Sequence, residues 1–429
     1  MLLILLACAS EPEADRSSQA APEAASVQAP APRPLREEPL KHAVIIVIDT
    51  TRDDALREAY TPHLDGLAEQ GQRLERAWSS GTWTVPGVTG LLTGTTVRGH
   101  GWDLGTGRLG KYPRLPEIPM LAEVLAEQGF STTGLYSNGY LAEELGFDRG
   151  FDEWRRVTDK TLVREFHKVL AKRWSAEPEG RHFAYLHFLG PHSPVSPSPE
   201  RRDKYGVEPH WFEGKRDAIE IGAAKRNTEP GVRGAYAQAY KGVIEDTDDR
   251  VGQLLEALQP WMQDTLVIVT SDHGELLGEH NIVGHGYWVY EGLTHVPYIA
   301  WNAQTQLPDT MSTAATAQVV CDELGLQHSW PVAPDTLPIV SQREGKLAMT
   351  LDGRHKAIWD PTPRGGGAFR VFDLDSDPEE QNPLSQDHGL AQARLDWEAS
   401  LPETPLLTEK VELSEETFQQ LEQLGYLDD

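Results

Sequence analysis

Two uninterrupted apolar runs, each ending in an aspartate, constrain this chain more than any other feature. The first is His42-Ala-Val-Ile-Ile-Val-Ile-Asp49, and the second is Leu266-Val-Ile-Val-Thr270, followed by Ser271 and Asp272. A strand with no polar alternation has both faces buried, which is the signature of a parallel sheet covered by helices. Between the runs, segments with helical spacing alternate with further short apolar segments. Thr61-Pro62 opens a helix, Pro119 to Gln128 forms another that stops at Gly129, and Glu245 to Leu258 a third. Ser131 to Tyr136 and His182 to Leu189 read as strands. The alternation predicts an α/β fold: a doubly wound, mostly parallel sheet flanked by helices. Sites in such sheets lie beyond the carboxyl ends of the strands, where Asp49 and Asp272 stand.

The pattern changes near residue 340. Lys346 to Leu351 and His355 to Trp359 flank Asp352-Gly353, a hairpin signal, and Phe369 to Leu374 offers a third strand. Leu413 to Gly425 reads as a helix capped by Ser414. The expected organisation is a catalytic domain over 41–340 and a small C-terminal antiparallel sheet-and-helix subdomain over 341–429. Ahead of them, residues 9–40 are rich in Ala, Pro, Glu and Ser and read as a flexible tether. Met1 to Ala7 is an apolar run too short to span a bilayer, closed by Cys8. Leu5-Leu6-Ala7-Cys8 resembles a bacterial lipoprotein signal, although no Lys or Arg precedes it. That resemblance implies lipid attachment at Cys8 and a place in the cell envelope, on the periplasmic or outer side.

Composition narrows the partners. The 429 residues carry a formal net charge of -27, which disfavours nucleic acid and anionic membrane surfaces. A small anionic substrate stays compatible, because a local metal ion outweighs the global field. With two cysteines, Cys8 and Cys321, no internal disulfide framework is available, and Cys321 reads as a buried helical residue.

Four segments carry candidate chemistry: Ile48-Asp49-Thr50, Thr82 to Pro86, Gly190-Pro191-His192, and Ser271-Asp272-His273-Gly274-Glu275 with His285 beyond it. The Asp272-His273 pair offers one carboxylate and one imidazole, a combination suited to Mn or Zn and tolerant of Mg or Ca. His187, His295 and the Trp83 ring read as structural.

Together the segments resemble the sulfatase-like family of the alkaline phosphatase superfamily. The matching stretches are Val44-Ile-Ile-Val-Ile-Asp49-Thr-Thr-Arg-Asp53, Thr61-Pro-His-Leu-Asp65, Thr84-Val-Pro86 with Leu91-Leu-Thr-Gly94, and Thr270-Ser-Asp-His-Gly-Glu-Leu-Leu-Gly278. Asp373 to Leu384 and Leu424-Gly-Tyr-Leu427 follow the family's C-terminal subdomain. The resemblance implies one divalent metal ion held by Asp49, Asp272 and His273, with a second ion possible. It implies Thr84 as nucleophile, His192 at the ester or leaving group, and His285 near the anionic group. Four departures bear on chemistry. Thr84 replaces the cysteine that sulfatases convert to formylglycine, and Pro86-Gly87-Val88 replaces Pro-Ser-Arg. Gly190 replaces an aspartate, and Ser137-Asn138 occupies the place of a sulfate-gripping Gly-Lys. A threonyl ester cannot collapse to an aldehyde, so its release needs attack on the central atom, which phosphoryl groups undergo readily. The expectation is therefore a metal-dependent hydrolase of phosphate or sulfate esters, with phosphoesters favoured. The alternatives are an arylsulfatase-like hydrolase, a phospho-group transferase acting on envelope components, and a non-catalytic binding protein.

Overall fold

The computed structural model describes residues 38–102, 111–207, 230–363, 365–401 and 410–423. Cys8, most of the expected tether and the closing Leu424 to Leu427 lie outside them. Leu40 is already buried, and its N–H donates to the Glu323 carbonyl at 3.0 Å, so packed structure precedes Lys41.

The main sheet contains β1 (His42–Ile48), β2 (Gln72–Arg73), β3 (Phe130–Tyr136), β4 (Glu153–Arg156), β5 (Arg181–Phe188), β6 (Thr265–Thr270) and β7 (Tyr298–Trp301). Their order across the sheet is β2-β7-β6-β1-β5-β3-β4. The five strands from β6 to β4 are parallel, and β7 and β2 close one edge antiparallel. The expected α/β class is the one observed. β1 lies at the centre and is buried along its whole length. Its Ala43, Ile45 and Val47 enter one hydrophobic core, and Val44, Ile46 and Ile48 enter the core on the opposite face. Two covered faces explain why its sequence has no polar alternation.

Helices fill both faces. α1 (Asp53–Glu58), α2 (Pro62–Gln70), α5 (Asp159–Val169) and α6 (Pro230–Leu258) supply one core, while α3 (Thr84–Thr93) and α4 (Leu121–Glu127) supply the other. The helix expected over 245–258 is longer than its apolar spacing suggested and begins at Pro230.

The C-terminal sheet has four antiparallel strands: β8 (Ile339–Arg343), β9 (Lys346–Thr350), β10 (His355–Asp360) and β11 (Ala368–Asp373). The sequence reading missed β8. This strand is stitched to the main domain: Gln342 N–H donates to the Ser80 carbonyl at 2.8 Å, and Ser341 Oγ donates to the Ser79 carbonyl. β10 contributes a fully buried lysine. Lys356 Nζ lies 2.9 Å from Glu291 Oε2, 2.8 Å from Glu380 Oε1 and 5.2 Å from the Trp78 ring centre. Such a charge is tolerated inside a protein only when it is paired and hydrogen-bonded. The C-terminal sheet thereby grips the segment after β6, which carries Glu291.

Candidate active site

The register of three parallel strands builds the centre of the site. Val47 of β1 is paired with His187 of β5 on one side and Thr270 of β6 on the other. The first residues past the strand ends therefore meet. Asp49 extends the ladder, its N–H donating to the Phe188 carbonyl at 3.0 Å. Beyond it the chain turns sharply at Thr50, a non-glycine residue held at φ 58°. That strained turn presents backbone donors to the neighbouring strand end. Thr50 N–H reaches Asp272 Oδ1 at 3.3 Å, and Thr51 N–H reaches Ser271 Oγ at 2.9 Å.

Asp49, Asp272 and His273 each present one ligand atom within 4.8 Å of the others, and all three are fully buried. His273 Nε2 stands 3.4 Å from Asp49 Oδ1 and 3.6 Å from Asp272 Oδ2. Those three atoms have no hydrogen-bond partner among the described residues. The other nitrogen of the ring, Nδ1, lies 2.8 Å from the Gly274 carbonyl, which leaves Nε2 as the lone-pair nitrogen of the neutral ring. Burial, and then the charge of Asp272, push Asp49 well above the usual carboxylate range, with the Asn138 amide opposing. Asp272 is held below its ordinary value: burial opposes its ionisation, but His273, His187 and Thr50 N–H outweigh it. Burial lowers His273 to about 4, so its imidazole is neutral. Two buried carboxylates at this separation cannot both be ionised without a cation. Two hard oxygens, a neutral imidazole and three orphaned polar atoms fit a divalent metal ion.

Thr84 is the first residue of α3 and is fully buried. Asn138 Nδ2 donates to Thr84 Oγ1 at 3.0 Å and to Asp49 Oδ2 at 2.7 Å, tying the hydroxyl to the carboxylate cluster. α3 approaches so closely that a Cβ on Gly87 would lie 2.1 Å from the Asp272 carbonyl oxygen, which explains why glycine follows Pro86. Trp83, just before the helix, packs edge-on to Tyr140 at 5.5 Å and beside Trp102 at 5.4 Å. It is a packing residue, as the sequence suggested.

The two expected catalytic histidines form a file leading away from the cluster. The ring centres of His273 and His285 are 4.5 Å apart, and those of His285 and His192 are 5.0 Å apart. Glu275, fully buried, holds His285 Nδ1 at 2.9 Å. His192 Nδ1 lies 2.6 Å from the Ser193 carbonyl, and burial followed by the proximity of His285 holds this imidazole well below its ordinary value. The Gly190 turn is pinned by Asp159, whose two oxygens accept from Leu189 N–H at 2.8 Å and Gly190 N–H at 2.9 Å. Gly190 has φ 53°, and a Cβ there would meet Ile48 Cγ2 at 2.7 Å. A side chain here would have to displace the Ile48 methyl and hold a left-handed backbone, so glycine fits best.

Three residues of the site were named from sequence but given no part in it. Asn138 and Glu275 act through contacts that only the fold creates. His187 had been read as an ordinary structural histidine. Among the described residues neither of its ring nitrogens has a hydrogen-bond partner, and Nε2 faces Asp49 Oδ2 at 3.7 Å and Asp272 Oδ2 at 3.9 Å. It lies along the underside of the cluster. Glu279 and His280 stay out of it: Glu279 pairs with Arg52 at 2.6 Å, and His280 stacks on Tyr290. Among the described residues one other group has metal-ligand spacing, His63 with Asp248 and Asp249. Its Asp248 already accepts from His63 and Leu64 N–H groups at the start of α2.

This geometry predicts that Mn²⁺ or Zn²⁺ stabilises the wild-type chain by about 2.7 kcal/mol at a hundredfold excess over Kd. Asp272→Ala should fold yet take up no metal. Thermal melts with and without metal, together with elemental analysis, check both outcomes. Full occupancy in the variant would contradict the ligand set.

Comparisons with known proteins agree with the fold. The family model described as Sulfatase matches residues 41–322. An arylsulfatase of Clostridium perfringens is 21% identical over 443 residues, covering 80% of this chain and 89% of that protein. A protein solved in complex with its substrate D-glucosamine-2-N,6-O-disulfate superposes with a TM-score of 0.65 at 14% identity, covering 91% of this chain and 99% of that one. A phosphonate monoester hydrolase from Silicibacter pomeroyi gives a TM-score of 0.61 at 16% identity, covering 84% of this chain and 94% of that one. The chain belongs to the sulfatase family of the alkaline phosphatase superfamily and is a sulfatase-like ester hydrolase.

Proposed function

We propose that the enzyme cleaves phosphoesters, diesters or phosphonate monoesters above all, through a covalent ester on Thr84. The observation that carries this reading is the Asn138 bridge, which sets a threonine hydroxyl, and not a formylglycine precursor, against the Asp49 carboxylate at the N-terminus of α3. A bound divalent ion would lower the pKa of the Thr84 hydroxyl and neutralise the attacked group. Thr84 Oγ1 forms a bond to phosphorus while the alcohol oxygen departs with a proton. Water then attacks phosphorus, Thr84 Oγ1 departs, and the hydroxyl is restored. Neutral His192 donates a hydrogen bond from Nδ1–H to the Ser193 carbonyl, so its Nε2 is the nitrogen suited to accept a proton or hydrogen bond. His285, backed by Glu275, supplies the leaving-group proton. Asn138 stands where relatives place a sulfate-gripping lysine, and an amide there suits a singly charged ester.

A second reading, hydrolysis of sulfate esters, draws support from the arylsulfatase similarity. A metal-supplemented panel of phosphate monoesters, phosphodiesters, phosphonate esters and sulfate esters separates the two. We expect diesters and phosphonates to lead, Thr84→Ala to lower kcat by about 10³ or more, and Thr84→Ser to keep part of the activity. Turnover of sulfate esters alone, or near-normal turnover by Thr84→Ala, would overturn the proposal.

The Leu-Leu-Ala-Cys8 run supports the further proposal that a lipid on Cys8 holds this domain at the bacterial envelope. Among the described residues no helix is long and apolar enough to cross a membrane. Cys8→Ser should move the protein from the membrane fraction to the soluble one. Unmodified Cys8 in membrane-associated wild type would refute the anchor.

A further inference from the structure

His187 of β5 lies beneath the metal ligands. The alternation of the strand places Phe183 and Tyr185 on the same face, and both belong to an apolar core. Its register partners, Val47 of β1 and Tyr136 of β3, belong to that core as well. An apolar side chain would suit this position. The chain instead holds a fully buried imidazole there, with neither nitrogen hydrogen-bonded among the described residues. A buried polar group in that state costs stability, so its presence calls for a compensating role. Its Nε2 lies 3.7 Å from Asp49 Oδ2 and 3.9 Å from Asp272 Oδ2, about 0.8 and 1.0 Å beyond the usual hydrogen-bond length. A small turn of the ring brings it to either. The group with metal-ligand spacing joins the same two carboxylates to His273 and does not include His187. Two imidazoles therefore face one carboxylate pair, and they face it differently. His273 turns a lone-pair nitrogen to the cluster, because its Nδ1 hydrogen is held by the Gly274 carbonyl. With a cation bound, both carboxylates are ionised and only accept, so the His187 nitrogen that faces them is favoured as N–H.

We propose that His187 is a positioning residue for the metal: its Nε2–H is shared between the Asp49 and Asp272 carboxylates and holds them at the spacing the ion needs, without binding the ion itself. A donor set between two like charges offsets their repulsion. It acts on Asp49 Oδ2 together with the Asn138 amide, which lies 2.7 Å from the same oxygen, and so leaves Asp49 Oδ1 for the ion. On Asp272, Oδ1 takes the N–H groups of Thr50 at 3.3 Å and His273 at 3.0 Å, which leaves Oδ2 to meet the ion and His187. Partners of this kind fix the orientation of metal ligands, and losing one weakens metal binding by roughly ten- to a hundredfold. The proposal rests on the ligand set of Asp49, Asp272 and His273 and is independent of which ester is cleaved.

The test is Zn²⁺ affinity, measured by competition between a chelating dye and the full-length enzyme stripped of metal. His187→Leu keeps the strand face filled and removes the donor, and it should bind Zn²⁺ roughly ten- to a hundredfold more weakly than wild type. Gln sets an amide nitrogen near the place of Nε2, whereas Asn sets one near Nδ1. His187→Gln should therefore recover most of the affinity and His187→Asn little of it, and this pair carries the test if the leucine variant does not fold. At saturating Co²⁺ the visible absorption of His187→Gln should match wild type in intensity, because the number of ligands is unchanged. Wild-type affinity in His187→Leu would overturn the proposal. So would equal losses in His187→Gln and His187→Asn, which mark a packing role. A Co²⁺ spectrum that reports a lost ligand would overturn it too, because His187 would then bind the ion directly. Asp272→Ala separates the proposal from its foundation: wild-type affinity in that variant contradicts the ligand set itself, while lost affinity there beside unchanged affinity in His187→Leu contradicts the role of His187 alone.

Discussion

The structure depends on two buried carboxylates held side by side at the ends of adjacent parallel strands. Asp49 and Asp272 are fully buried and face the same imidazole. Left alone, such a pair repels, and one member keeps a proton. The surrounding fold nevertheless brings them together with several independent devices. The β1–β6 register aligns the strand ends, the left-handed turn at Thr50 sends a backbone donor to Asp272, and Gly87 lets α3 press on the Asp272 backbone. A chain that spends this much local strain on opposed charges is built around a cation. The Thr84 hydroxyl is then tied to the same cluster, because Asn138 binds Asp49 and Thr84 with one amide nitrogen.

The C-terminal sheet completes the site from a distance. Lys356 of β10 locks onto Glu291, and Arg343 of β8 lies over the Trp83 ring at 5.3 Å and donates to the Gly286 carbonyl. Gly286 follows His285 directly. The two subdomains form one compact unit, and the later one holds the loop that carries His285. Breaking the Lys356 pair would leave Glu291 charged and buried, so the cost would exceed that of a surface ion pair.

Much of this was legible in the sequence. Continuous apolar strands ending in Asp49 and before Asp272 announced both the parallel sheet and the edge where a site would lie, and the adjacent Asp272-His273 pair announced a metal. Thr84 stood out because its neighbours fit a family pattern whose cysteine it replaces. What stayed hidden depends on contacts distant in sequence. Asn138 looked like the loss of a gripping lysine until the fold placed it between Asp49 and Thr84. His187 looked like any histidine on an apolar strand, since nothing local reports that its ring points at two carboxylates. β8 was missed because its segment shows no clear alternation and gains its partners from β9 and from Ser80.

The central claim is that Thr84 carries the ester group between the two halves of the reaction. Acid quenching during steady-state turnover of a phosphodiester or phosphonate ester, followed by peptide mass spectrometry, tests it most directly. The account predicts a phosphoryl or phosphonyl ester on the peptide containing Thr84, absent in Thr84→Ala and in samples without metal. Turnover by wild type that leaves Thr84 unmodified at every quench time, with solvent oxygen entering the product by a single inversion at phosphorus, would contradict it.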